Sequence, residues 1–183
     1  MHMRNRQLGI TWMELLIVVT IVGILVAMAV PSYRAYMVRT NRTDAKVELQ
    51  NQVNRLERCF TRTNNYFNAL CTQDAGGAAI YPLAVKDTYS ITMANIGGGN
   101  YRLDAVPQGP QAADDTLCAT FGVDNLGNLT VTGGSATNTI VTGSGNDVIK
   151  GGGGADFLTG GAGADQFVFM ATSDSTVASF DTI

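Results

Sequence analysis

Three aspartates, Asp147, Asp156 and Asp165, recur at nine-residue intervals in a stretch crowded with glycine. The segments TGSGNDVIK, GGGGADFLT and GGAGADQFV fill residues 142–150, 151–159 and 160–168, and each fits G-G-x-G-x-D-x-U-x closely. The large apolar position U holds Ile149, Leu158 and Phe167, while GGSATNTIV at 133–141 fits weakly, with Asn138 in place of the aspartate. Such spacing supports binding of a hard cation. Gly143, Gly145, Gly152, Gly154, Gly161 and Gly163 permit tight turns whose carbonyls face an ion, and the aspartate adds anionic oxygen. The apolar residue fills an interior. A flexible glycine-rich linker accounts for the composition but not for aspartates and apolar residues held in phase.

Other chemistry is scarce. The single histidine, His2, lies at the extreme N-terminus, so its removal leaves no Ser/His/Asp or Cys/His arrangement and no His-ligated metal site. An enzyme is not expected. Cys59 and Cys71 are twelve residues apart. A disulfide closing so short a loop contributes about 3 kcal/mol in the chain-entropy model if the region lies outside the cytoplasm; reduced structural cysteines are the other reading. Cys118 is left over. Glu14 is the remaining anomaly, an acid near the start of GITWMELLIVVTIVGILVAMAVPSY, where an ionised carboxylate in hydrocarbon costs roughly 3 kcal/mol on insertion scales.

These residues sit in unlike materials. Glycine is confined to Gly9 and Gly23 in the first 75 residues and then dominates 133–163. The formal charge of -3 likewise hides a basic run, Arg34 to Arg62, followed by a region in which Lys150 is the sole cation after Arg102. Interleaved Asp44, Glu48 and Glu57 make the basic run a solvated helix face, and without an aromatic platform no nucleic-acid partner is expected. Residues 10–30 give about 31 Å of apolar helix, enough to cross a bilayer. AMA at 27–29 mimics a signal-peptidase site, which leaves ordinary cleavage there as an alternative. The helical period then continues, with Ala45, Leu49, Val53, Leu56 and Phe60 in one stripe. Gly23 and Pro31 mark places to bend or partly melt.

From 87 to 132 the alternation becomes that of strands. Tyr89, Ile91 and Met93 form one set, Tyr101, Leu103 and Ala105 a second, Leu117, Ala119, Phe121 and Val123 a third, and a fourth strand falls at Leu129 to Val131. Gly97-Gly98-Gly99 and Asp124 to Asn128 are the turns. An antiparallel sheet with one apolar face needs a cover, and the stripe from Ala45 to Phe60 supplies it. The connection from Thr61 to Lys86 is long enough to include short elements.

The run from Gly9 to about Phe60 resembles the N-terminus of type IV pilins: a short basic leader ending in glycine, glutamate five residues on, an apolar helix and a proline near its end. Ile10 and Trp12 depart from the family's usual phenylalanine and leucine. The resemblance implies that a prepilin peptidase cuts between Gly9 and Ile10 and methylates the new terminus. It further implies that Glu14 pairs with such a terminus on a neighbouring subunit, that Pro31 belongs to the assembly helix, and that a small antiparallel head follows. LERCFTRTNNYFNALC is similar to the helix-to-sheet loop of major pilins, and ATFGVDNLGNLTVTG to a strand pair near the end of such heads. A cysteine placed like Cys118 normally pairs near the C-terminus in that family, but no such partner exists here.

The nonapeptides resemble the RTX calcium-binding repeat, in which two repeats make one turn of a parallel β-roll. That implies Asp147 stacked with Asp165 on one edge and Asn138 with Asp156 on the other, hence one good site and one poor one. FVFMATSDSTVASFDTI is similar to the segment following such arrays and stops early.

The expected fold is therefore α+β, a pilin fold followed by a short parallel β-roll. Its expected segments are a leader (1–9), a long helix (10–60, membrane or filament core over 10–31), a head (61–132), repeats (133–168) and an incomplete flank (169–183). The resemblance implies a pilus subunit made in the inner membrane and then extracellular, with other pilin subunits, prepilin peptidase and Ca2+ as partners. A type II secretion pseudopilin and a membrane-tethered calcium module that never polymerises are the alternatives.

Overall fold

The structure, a computed structural model, describes residues 11–169. The expected leader, the cleavage pair Gly9 and Ile10, and the flank from residue 170 onward lie outside the described residues. The described chain divides into two compact units at Met37 and Val38.

In the first unit, helix α1 (Trp12–Thr63) starts beside Thr11, whose hydroxyl accepts a hydrogen bond from the Glu14 N–H at 3.2 Å. That satisfies one of the amides left over at a helix N-terminus. Local melting at Gly23 or Pro31 does not occur: the helix is unbroken through both. Proline removes one backbone donor, and the leucines, valines and alanines on either side keep the rest of the ladder. Residues from Trp12 to Met37 are exposed throughout this unit.

In the second unit α1 continues to Thr63, beyond the expected end near Phe60. The stop is Asn64, whose φ of +51° is the left-handed turn that commonly closes a helix, with its N–H on the Phe60 carbonyl at 2.7 Å. Ala45, Leu49 and Leu56 are buried in the head's core, with Val53 and Phe60 packed against it. A short helix α2 (Ala69–Thr72) and strand β1 (Leu83–Val85) occupy the long connection.

Strands β2 (Tyr89–Gly97) and β3 (Asn100–Pro107) form a hairpin around three glycines, all at positive φ. Their inward set, Tyr89, Ile91, Tyr101, Leu103 and Ala105, is buried under the α1 stripe. The short helix α3 (Gly109–Asp114) has no counterpart in the strand periodicity, although its proline in the first turn is a helix-start signal. Strand β4 (Thr120–Asp124) is shorter than the alternation predicts. Leu117 and Ala119 precede it, and Leu117 is exposed.

Strand β5 (Leu129–Thr132) pairs antiparallel with β4 and parallel with β7 (Val148–Lys150), which pairs parallel with β9 (Gln166–Phe167). One sheet thus runs β1-β2-β3-β4-β5-β7-β9, and β6 (Thr139–Ser144) and β8 (Phe157–Ala162) make a second, parallel pair. The architecture is α+β, with an antiparallel head and a parallel roll joined through β5.

A buried ion pair ties α1 to the segment after α3. Arg42 reaches Asp115 with both Nε (2.6 Å to Oδ2) and a terminal nitrogen, and the Asp115 side chain is fully buried. Tyr89 and Gln111 donate to Oδ2 at 3.0 Å each, and the Cys118 N–H donates to Oδ1 at 3.0 Å. Burial works to raise the carboxyl pKa, but the Arg42 hydrogen bond and charge, with the Tyr89 and Cys118 donors, outweigh it and hold it below the ordinary 3.8. A carboxyl lowered in this way stabilises the fold above its unfolded pKa, and that stability disappears as pH falls through the folded value. Asp115→Asn should therefore cost about 3–5 kcal/mol near neutral pH by stranding Arg42. The cost should shrink below pH 4. Denaturant melts of both proteins in detergent across pH 2–7 check this, and parallel pH profiles contradict it.

Candidate metal centre and assembly helix

The repeats form turns at the two edges of the roll. Gly143, Gly145, Gly152, Gly154, Gly161 and Gly163 all have φ between +94° and +137°, a region closed to most side chains. Gly152 shows why a larger residue is excluded, because a Cβ there would run into the Gly134 carbonyl oxygen one coil earlier. The interior is apolar. Ile140, Ile149 and Leu158 are buried together, with Val131 and Phe167 packed against them.

Each aspartate reaches one coil back. Asp156 Oδ1 accepts from the Asn138 N–H at 2.8 Å, Asp165 Oδ1 from the Asp147 N–H at 3.1 Å, and Asp147 Oδ1 from the Leu129 N–H at 2.7 Å. All three bonds span eighteen residues, the length of one turn of two nonapeptides. The structure thus stacks Asp147 with Asp165 on one edge and Asn138 with Asp156 on the other. Asp147 and Asp156 are each 1% exposed, and Asp147 Oδ2 has no hydrogen-bond partner. A buried, orphaned carboxylate oxygen is costly unless a cation completes it, which is the fit that Ca2+ requires.

The second edge is built differently. The Asn138 amide nitrogen donates to the Ala136 carbonyl, to the Gly151 carbonyl at 3.4 Å and to Asp156 Oδ1 at 3.3 Å. An NH2 group therefore engages three of the oxygens on this edge, and the asparagine brings no charge. Among the described residues no three His, Cys, Asp or Glu side chains converge on a metal position. Backbone carbonyls, plus one carboxylate per turn, are the donors this array offers.

The remaining site residues lie elsewhere. Cys59 and Cys71 form a disulfide, joining the end of α1 to α2. Beside it Tyr66 stacks on Phe60 at 4.3 Å, meets Tyr101 edge-on at 4.7 Å, and donates to Glu57 at 3.0 Å. Cys118 is a free, half-buried thiol whose pKa burial and Asp115 push up. Glu14 and Pro31 lie in the first unit, on an exposed helix long and apolar enough to cross a membrane.

One participant escapes the nonapeptide pattern. The head's β4–β5 turn is in phase with the repeats, since Asn128 Oδ1 accepts from the Asn146 N–H at 2.8 Å as Asn146 Oδ1 accepts from the Ala164 N–H at 2.8 Å. Its trace in the sequence is the eighteen-residue spacing of Gly127, Gly145 and Gly163, with Val131, Ile149 and Phe167 at the apolar position.

Known proteins match the chain in two parts. A family model described as the type IV minor pilin ComP, DNA uptake sequence receptor, matches residues 31–122. Another, the RTX calcium-binding nonapeptide repeat in four copies, matches residues 132–167. The chain is 27% identical over 117 residues to a fimbrial protein of Moraxella nonliquefaciens, covering 64% of this chain and 66% of that one. It is 30% identical over 127 residues to the type IV major fimbrial protein FimA of Dichelobacter nodosus, covering 66% of this chain and 74% of that one.

The turn geometry yields a paired test. Gly152→Ala, blocked by a backbone oxygen and a positive φ, should abolish any calcium-induced gain of β structure seen by circular dichroism. Gly153→Ala should retain it, because a Cβ there meets nothing closer than Ser135 Cα at 3.7 Å. Equal responses from the two variants contradict the assigned turns.

Proposed function

The chain belongs to the type IV pilin family, and on that premise we propose that it is a pilus subunit that polymerises through its N-terminal helix and carries a calcium-dependent surface. The observation that carries the reading is the continuous exposure of Trp12 to Met37. Apolar side chains of this number need a bilayer or other subunits around them. The inner membrane holds the helix before assembly, and the packed core of a filament replaces it afterwards. Prepilin peptidase cuts between Gly9 and Ile10, freeing an amine close in sequence to Glu14.

Glu14 is the docking residue in this reading. Its carboxylate is unfavourable in hydrocarbon, and pairing with the terminal amine of a neighbouring subunit offsets that cost while selecting the register in which the subunits meet. Pro31 closes the segment that enters the core. The boundaries we propose are 1–9 for the leader, 10–60 for the helix, whose last turn runs on to Thr63, 61–132 for the head, 133–168 for the repeats and 169–183 for the flank. The repeats bind Ca2+ outside the cell and present an ordered roll there, suited to adhesion or to assembly gated by calcium.

DNA, part of the matched family's description, is not the ligand we propose. Arg42, Lys86 and Arg102 are engaged by Asp115, Asp44 and Asp104, and the pI is near 5.0. The disulfide between Cys59 and Cys71 fits a pilus subunit better than a type II secretion pseudopilin, the nearest alternative.

Glu14→Ala tests the assembly reading. Membrane insertion should persist, while filaments visible by electron microscopy are lost. Unchanged filament yield sinks the docking role, and a native chain that inserts but never polymerises leaves only the membrane-tethered calcium module.

A further inference from the structure

We propose that the turn between β4 and β5, residues 124–129, is a working edge of the roll and forms an additional calcium position with the turn at 142–147. This site lies outside the matched repeats, which begin at residue 132. It rests on the calcium reading given above and extends it into the head.

Three observations place the site. Asp147 directs its carboxylate toward this gap, because Oδ1 accepts the Leu129 N–H at 2.7 Å, and Oδ2 of the same buried group is without a partner. A methyl group built on Gly145 would lie 3.2 Å from Asp147 Oδ1 and 3.3 Å from both Asn128 Oδ1 and the Gly127 carbonyl oxygen. Oxygens from both turns therefore crowd the face of Gly145 that a side chain would fill. Two of these contacts have counterparts one coil later, where a Cβ on Gly163 would run into the Gly145 carbonyl oxygen and lie 3.2 Å from Asn146 Oδ1. The head turn is the geometric equivalent of a repeat turn.

Asp124 explains how a turn without the full glycine pattern holds this shape. Its Oδ1 accepts the N–H groups of Leu126 at 2.8 Å and Asn128 at 2.9 Å, and its Oδ2 accepts from the Asn128 side-chain nitrogen at 2.8 Å. That last bond fixes the Asn128 amide with its oxygen toward the neighbouring turn. Gly127 supplies the positive φ of +84°. Asp124 is thus a positioning residue, and Asp147, Asn128 and the Gly127 carbonyl are the ligands, with further carbonyls or water completing the six to eight oxygens calcium takes.

Leu129 occupies the place that aspartate holds in a repeat. The gap at 124–129 and 142–147 accordingly lacks an aspartate on its head side, whereas the gap at 142–147 and 160–165 has one in each turn, Asp147 and Asp165. Calcium affinity follows ligand charge, so the new site is the weaker of the two. Restoring the missing charge should strengthen it.

Calcium titration of the full chain in detergent micelles, followed by calorimetry, tests this with CaCl2 as the only ligand. The native protein should show a tighter and a weaker class of site. Asn128→Ala should remove the weaker class and keep the tighter one. Leu129→Asp should tighten the weaker class at least tenfold, a gain that loss of folding cannot mimic. Asp165→Asn should weaken the tighter class and leave the weaker in place. A single class in the native protein, unchanged by Asn128→Ala and Leu129→Asp, overturns the proposed site while leaving the repeat site standing. No heat from any variant overturns both.

Discussion

Strand β5 is hydrogen-bonded along both edges, antiparallel to β4 on one side and parallel to β7 on the other. A four-residue strand has few bonds to give, and here they join two kinds of architecture. Without β7, β5 would end the head's sheet with an open row of amides and carbonyls. Without β5, β7 and β9 would be a three-residue and a two-residue strand with no partner on their inner side. Small rolls need a neighbour to bury their first coil, and the head supplies it. Val131 shows the sharing in a single side chain, since it packs against both the head's core and the roll's interior.

That arrangement gives calcium a mechanical consequence. The glycine turns and the nearby aspartates make the roll costly to order without an ion, through chain entropy and like-charge repulsion. Binding to the folded form alone stabilises it by about 2.7 kcal/mol when calcium stands at a hundred times Kd. Because β7 pairs with β5 and β5 with β4, part of this stabilisation should reach β4 and β5. The Arg42–Asp115 network anchors the same region from the helix side, with Tyr89 and Gln111 on the shared carboxylate. The strands of the repeats are continuous with the sheet that carries the head.

Much of this was legible in the residues themselves. The apolar run, the stripe of Ala45, Leu49 and Leu56, and the inward sets of β2 and β3 follow from periodicity, which reports burial directly. The stacking of Asp147 with Asp165 follows from the resemblance to the RTX repeat, in which two repeats make one turn. What escaped was set by tertiary context. Leu117 alternates correctly yet lies outside β4, because the Cys118 N–H is drawn to Asp115 rather than to a strand. The helix continues past Phe60 because only Asn64 offers the left-handed stop. The β4–β5 turn looked like an ordinary hairpin loop, and its kinship with the repeats became visible only when Gly127, Gly145 and Gly163 lined up one coil apart. Asn138 stands in place of the aspartate in the weakest-fitting repeat, and the structure adds that its amide nitrogen donates to the Ala136 and Gly151 carbonyls and to Asp156.

The central claim is that head and roll are one cooperative sheet, and amide hydrogen exchange of the full chain with and without calcium tests it most directly. Calcium should slow exchange at Thr130 and Thr132 in β5 together with the β7 amides, and extend into β4. Protection confined to residues 133–168, with β4 and β5 exchanging at the same rate in both conditions, would contradict it.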